Sequence, residues 1–410
     1  MAKQLMVIGG GAAGFFCAIN AAKESPSLTV SIFEKQSKVL QKVKVSGGGR
    51  CNVTHACFKL ADLVKKYPRG QSFLKKAFTH FSTQDTIDWF ASRGVQLHTE
   101  ADGRMFPTSN NSQIIIDCLL DEAAKYHVKI QLNTEIISIQ KKGPQFILED
   151  KKGKIYSADF LMIASGGFPK PEQYRWLHAL RHSIQQPAPS LFTFNMPQHP
   201  ICQLMGVSVE QVSVKIVGSK LSASGPILIT HWGLSGPAIL KLSAWGAREL
   251  QHSNYHFSVL LNWIDTPENT LREDWHAIRI KQSGLALSSK NPFKLPQRLW
   301  DFLLSTCAIA ADTKWSELPA KEQNKLMHIL TTHELQVYGK TTFKEEFVTC
   351  GGIDLQEIDA HTMQSKIVPN LFFGGEILDV DGITGGFNFQ HAWTSGYINK
   401  KKIAEKSLIP

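Results

Sequence analysis

Three glycines at 9, 11 and 14, with an acid at 34, are the first residues whose spacing implies chemistry. In a strand–turn–helix setting Gly9 permits the tight turn and Gly11 lets backbone N–H groups approach a pyrophosphate. Gly14 lets the helix pack closely, and Glu34 can accept hydrogen bonds from a ribose. A second backbone-exposing loop follows at Ser46-Gly47-Gly48-Gly49-Arg50-Cys51-Asn52. Cys51 beside Arg50 has the makings of a thiolate or of an acid that protonates a substrate carbon. Free cysteines are also common as small core residues. His55, His231 and His391 are candidates for proton transfer, each with a hydrogen-bonded structural role as the alternative.

These residues need elements to position them. Gln4 to Ile8 reads as a first buried strand, and an apolar helix runs from the glycine turn to about Lys23. Leu28 to Phe33 is the second strand, ending at Glu34. The helix start supplies unpaired N–H groups and a positive dipole end for phosphate. Residues 83–94 and 112–126 have helical spacing, whereas Ile130–Gln140 and Gln145–Leu148 read as strands. A buried strand, Phe160–Ala164, leads into Ser165-Gly166-Gly167. Short alternating runs at Ser208–Val217, Pro226–Thr230 and His256–Leu261 suggest a small β-rich insert or barrel. Helical patterns start near Thr270, Pro296 and Glu322. The strand Leu371–Phe373 and a helix from about Gln390 to Lys406 close the chain. The expected fold is α/β, Rossmann-like and of the two-dinucleotide-binding type, with an insert that has a β-barrel part and a helical part. The corresponding ranges are 1–188, 189–265, 266–341 and 342–410.

Composition narrows the function classes. The 410 residues are 43% hydrophobic and 20% charged, with seven cysteines and a net charge of +10. That excludes disorder, and no apolar run approaches the ~18–20 residues of a membrane helix. No membrane is therefore expected; the cysteines form no CxxC pair and no zinc spacing, so no metal is expected, and their odd number in a chain too large to need disulfides fits a reducing cytoplasm best. The charge is concentrated: residues 35–76 hold eleven Lys/Arg against Asp62 alone, which equals the net charge of the whole chain. Such a segment suits an anionic partner. Phe58, Tyr67, Phe73 and Phe78 interleave with it and are candidates for base stacking. A solvated lysine face, or one that offsets cofactor phosphates, is the alternative.

With these residues in view, the chain resembles the YhiN/BaiN-like family of FAD-dependent oxidoreductases. The resemblance rests on VIGGGAAG at 7–14, KVKVSGGGRCNVTH at 42–55, EADGRMFPTSNNS at 100–112, ADFLMIASGG at 158–167 and THWGLSGPAILKLS at 230–243. It continues from VTCGGIDLQEI through GGEILDVDGITGGFNFQHAWTSGY at 348–397. It implies FAD, with Gly9, Gly11, Ala12, Ala13, Gly14, Glu34 and Lys35 at the ADP half. Lys42, Ser46, Gly47, Gly48, Arg50, Cys51 and Asn52 would follow the pyrophosphate and isoalloxazine, with Ala164, Ser165 and Gly166 beside them. Gly375 and Glu376 would hold the ribityl chain. Gly385, Gly386, Phe387 and Asn388 would start a helix facing the flavin, although a tight turn requiring small residues is the alternative. Arg50, Cys51 and Asn388 are expected at the reacting face. The stretch after Gly167, Phe168-Pro169-Lys170-Pro171, departs from the family pattern, and His391 stands where many members have an aromatic residue.

The resemblance covers two substrate classes: uracil C5–C6 in 23S ribosomal RNA, giving dihydrouridine, and small polycyclic enones. The charged segment favours RNA. A ribosome-associated binding protein with structural FAD is the reading from another class. NADH or NADPH would serve as a transient hydride donor, since no second GxGxxG-bearing unit is present.

Overall fold

The computed structural model describes residues 2–341 and 348–408. The chain forms two compact units, one of Met1–Ser190 with Lys344–Pro410 and one of Leu191–Phe343. The first crossing therefore falls at Ser190/Leu191 instead of 188/189. The return junction expected at 341/342 borders residues outside the described set.

The first unit is built on five parallel strands: β1 (Gln4–Ile8), β2 (Thr29–Phe33), β3 (Lys129–Gln131), β4 (Phe160–Ile163) and β5 (Leu371–Phe373). They lie in the order β5-β4-β1-β2-β3. The central strands are apolar almost throughout because both faces are covered, as expected of parallel sheets. The chain moves outward from β1 to β2 and β3, then returns to the other side of β1 as β4. The reversal lies between β1 and β4, and in such sheets a ligand binds there, beyond the carboxyl ends of the strands.

Two helices cover the reversal. Helix α1 (Ala12–Glu24) leaves the first glycine turn, and α2 (Phe387–Tyr397) follows the last glycine-rich loop. Phe16 of α1 packs its ring 4.7 Å from that of Trp393 on α2. The expected closing helix at 390–406 is thus two helices, α2 and a second at Lys400–Ser407. The expected strand 130–140 is likewise split, into β3 and Ile136–Lys142 of a separate meander. The chain turns between them at Asn133, whose φ is +53°.

The second unit has a seven-stranded antiparallel sheet. One edge strand, His333–Tyr338, runs through Gly339 into Lys340–Thr341 at the other edge. One continuous segment therefore carries both edges and curls the sheet toward a barrel. Gly339 bridges the gap, donating to the Tyr255 carbonyl at 2.9 Å and accepting from the Asn195 N–H at 3.0 Å. The β-rich and helical stretches share one buried core, which includes Val214, Leu261, Trp263, Trp300, Trp315 and Leu335.

Candidate cofactor site

The carboxyl ends of β1, β4 and β5 converge on three glycine-rich turns. The first turn is fixed by close approach. A Cβ on Gly14 would lie 2.0 Å from the Gly9 carbonyl oxygen, and one on Gly9 would lie 2.3 Å from that of Ala164. Both positions are closed to any side chain. Gly11, in contrast, faces open space at the N-cap of α1, with Ala12 and Ala13 in the first helical turn. Glu34 ties this turn down: one carboxylate oxygen accepts from the Gly10 N–H and the other from the Gln36 N–H, each at 2.8 Å. Lys35 is exposed, with its ammonium 5.7 Å from the Phe168 ring centre, so the departing stretch after Gly167 lines this side.

The loop at 46–52 is braced from below and open above. Ser46 donates to the Val43 carbonyl, the Ser112 N–H donates to Gly49, and the Cys51 N–H donates to Ser46. Gly47, Gly48 and Gly49 all have positive φ, and Gly48 and Gly49 meet nothing on their outer side. Arg50 lies over the Phe106 ring at 4.0 Å and pairs with Glu100 at 2.6 Å.

Asn52 links this loop to the start of α2: its amide oxygen accepts from the Gly386 N–H at 3.0 Å and its amide nitrogen donates to Thr54 at 2.9 Å. A Cβ on Gly386 would fall 2.6 Å from the Thr54 carbonyl oxygen, so a tight-turn requirement is real at that position. Gly385 lies against His55, whose ring stacks on Phe387 at 4.7 Å. Beyond β5, the Gly375 N–H donates to Ser395. Glu376 accepts from the Thr349 N–H at 2.8 Å and from Lys42 at 2.6 Å.

Residues 3–402 match the family of the HI0933-like protein Rossmann domain. The chain belongs to this family. It is 31% identical over 402 residues to the ribosomal RNA dihydrouridine synthase of Escherichia coli (strain K12), covering 96% of each chain. It is 25% identical to the 3-dehydro-bile acid delta(4,6)-reductase of Clostridium scindens, covering 98% of this chain and 100% of that protein. Among solved structures, the open conformation of a flavocytochrome c3 fumarate reductase shares the fold with a TM-score of 0.51. It is 14% identical and covers 99% of this chain and 79% of that one. The protein is an FAD-dependent oxidoreductase of the HI0933-like family.

The residues present fit FAD. The Ser165 hydroxyl, after β4, and the Thr349 hydroxyl, beside Glu376, are buried without a hydrogen-bond partner among the described residues. Buried polar atoms of that kind call for one. Gly166, with φ +77°, leaves open space next to Ser165 as Gly11 does at the helix start. A pyrophosphate would find N–H groups and a favourable dipole there.

Several expectations change on contact with the geometry. Cys51 is fully buried, and burial pushes its thiol up to about 12. Arg50 turns to Glu100 and Phe106, and the Ser46 hydroxyl beside the thiol offsets only part of the effect of burial. Asn388 spends both ends of its amide on Gly382, accepting from its N–H at 2.8 Å and donating to its carbonyl at 2.9 Å. Both contacts brace the loop. His391 is buried and donates Nε2–H to the Gly375 carbonyl at 3.2 Å, and burial lowers it to about 4. It is a neutral brace under the β5 turn. His231 is exposed in the second unit. Tyr67, Phe73 and Phe78 are buried, which leaves Phe58, at 58% exposure, as the one of the four aromatics available for stacking.

Sequence reasoning missed the buried polar frame beneath the site. Gln390 accepts from the Thr54 and Thr86 hydroxyls at 2.6 and 3.0 Å, and the Trp393 indole donates to Val53 at 2.9 Å. Arg69 pairs with fully buried Asp381, to which Ser190 also donates. Arg69 was counted in the basic segment as an available cation; its partner lies more than three hundred residues away, and no local pattern reports it.

Proposed function

We propose that this oxidoreductase takes electrons from NAD(P)H and reduces uracil C5–C6 in 23S ribosomal RNA. The reading rests on near-full-length similarity to two proteins named ribosomal RNA dihydrouridine synthase, those of Escherichia coli and Haemophilus influenzae, at 31% and 29% identity. The observation in the fold that carries it is the exposure of the basic segment. Lys35, Lys38, Lys44, Lys59, Lys65, Lys75 and Lys76 are all exposed in the unit that holds the cradle. RNA affinity comes largely from such cations neutralising phosphates.

FAD, when bound, supplies a hydride for an electron-poor carbon conjugated to a carbonyl. The chain's own residues would do the rest. The α1 start and the Gly11–Ala12 backbone would bind the pyrophosphate, and Glu34 the ribose hydroxyls. Ser165, Thr349 and the Lys42–Glu376 pair would hold the chain that joins the phosphates to the ring. Gly48 and Gly49 would let the ring approach the backbone, with Arg50 at its edge. The Asn52–Gly386 and Asn388–Gly382 links would keep the start of α2 in place.

Reduction of a small enone is the second reading, favoured by the Clostridium scindens relative. The test is to incubate the FAD-loaded protein with NADH or NADPH and unmodified 23S rRNA, then assay nucleosides by mass spectrometry. Dihydrouridine at one position supports the RNA reading. Its absence, with turnover of a bile-acid enone, supports the second.

A further inference from the structure

The first unit carries a second concave feature, formed by two segments on either side of a cleft of about 600 Å³. One wall is Pro68–Lys76 and the other lies within Leu355–Lys366. The volume falls in the ~300–1,000 Å³ range of ligand clefts. Its polar lining is Gln71, Ser72, Lys76, Gln356, Asp359, His361 and Lys366, with the Lys366 ammonium donating to the Gln356 carbonyl at 2.8 Å.

The charges there are arranged for an anion. Lys76 and Lys366 are exposed on opposite walls. Among the described residues Asp359 forms an ion pair with neither; it accepts from the His361 N–H and from the Thr362 hydroxyl, each at 2.9 Å, so the lining holds two cations against one anion. The His361 ring meets that of His80 at 2.8 Å between Nδ1 and Nε2. One of these nitrogens donates to the other; with His80 as the donor, the Nε2–H of His361 is left for a partner at the rim. Lys75 is exposed next to Lys76, and Lys401 is close enough to oppose protonation of His80.

The cleft is also tied to the cofactor frame. A Cβ on Gly70 would lie 2.7 Å from Val380, so the absence of a side chain lets the 68–76 wall sit directly on the loop that leads to α2. Arg69, one residue earlier, pairs with Asp381 in that loop. A strand held in the cleft is therefore held in a fixed frame with the Gly382–Asn388 turn.

We propose that this cleft is a docking site for the phosphodiester backbone of the substrate RNA, with Lys76 and Lys366 on successive or facing phosphates and Gln71, Ser72 and His361 as hydrogen-bond donors. The site rests on the RNA reading above and adds a place where the strand is gripped apart from the reacting base.

The experiment uses the FAD-loaded, full-length protein and a labelled single-stranded RNA oligonucleotide, with affinity measured by anisotropy over a salt series. Lys76→Glu combined with Lys366→Glu is compared with wild type and with Lys281→Glu plus Lys321→Glu on the second unit. The expected result is at least a tenfold loss for the cleft variant alone. The slope of log K against log salt should fall by about 1.4, from ~0.7 per phosphate contact on a single strand. Equal binding by the cleft variant and wild type, or equal loss in both variants, overturns the cleft. If the wild type binds RNA and only the cleft variant loses it, yet no dihydrouridine forms, the cleft stands and the uracil-reduction reading falls. If the wild type binds no RNA, both fall.

Discussion

The turn at Gly9–Gly14 and the loop at Ser46–Asn52 are both glycine-rich, yet their glycines answer different constraints. Gly14 is glycine because the protein itself fills the space beside it, with a backbone oxygen 2.0 Å from where a Cβ would be. Gly48 is glycine with nothing beside it, on a backbone at φ +67°. The first belongs to the frame and the second to the binding face. The cations divide the same way. Arg69 closes a buried pair with Asp381, whereas Lys76, seven residues on, stands exposed at the edge of a cleft. Residue type alone does not assign a role; what occupies the neighbouring space does.

Substitutions that separate frame from face sharpen this contrast. Gly14→Val should have the largest effect, forcing apart β1 and α1. We expect little soluble protein and no bound FAD, read by expression yield and flavin absorbance. A folded, yellow Gly14→Val protein would break the distinction. Arg69→Ala leaves Asp381 buried without its cation and should cost about 3–5 kcal/mol in denaturant unfolding. A loss under ~1 kcal/mol would mean the pair is not part of the frame.

Acid tests the frame from another direction. His391 is held near a pKa of about 4 against an ordinary value of 6.5, because burial disfavours its charged form. Its contribution is therefore complete above pH 6.5 and is lost as pH falls toward 4, by up to about 3 kcal/mol. His391→Gln should flatten that part of the stability–pH curve, as measured by thermal melts. On the face, Gly48→Ala should leave the melting temperature of the FAD-free protein within a few degrees, since the left-handed backbone costs a β-carbon only ~1 kcal/mol. FAD affinity should drop at least tenfold in a fluorescence titration. The smallest effect is expected for Cys51→Ala, with about 1 kcal/mol of stability lost and turnover unchanged. A large fall in turnover would return the thiol to the mechanism.

Much of the fold was legible because its signals are local. The buried runs at β1, β2 and β4, the glycine spacing and Glu34 each announce their place within a few residues. The surroundings of Cys51 and Asn388 were not legible for the opposite reason: both depend on what packs against them. Asn388 looked like a flavin contact because it begins a helix, but Gly382, six residues back, takes its amide. Tyr67, Phe73 and Phe78 looked like stacking residues by composition, and the core claims all three. The β-rich and helical stretches of the insert were legible, but strand and helix periodicities cannot tell that Trp300 and Val214 share one core.

The most direct measurement of the central claim is anaerobic. The FAD-loaded protein is reduced with one equivalent of NADH or NADPH, then mixed with either unmodified 23S rRNA or a 3-keto-4-ene steroid while flavin absorbance is followed. The account predicts rapid reoxidation by RNA, with dihydrouridine formed in the same amount, and slow or no reoxidation by the steroid. Reoxidation by the steroid alone, with RNA inert, would contradict it.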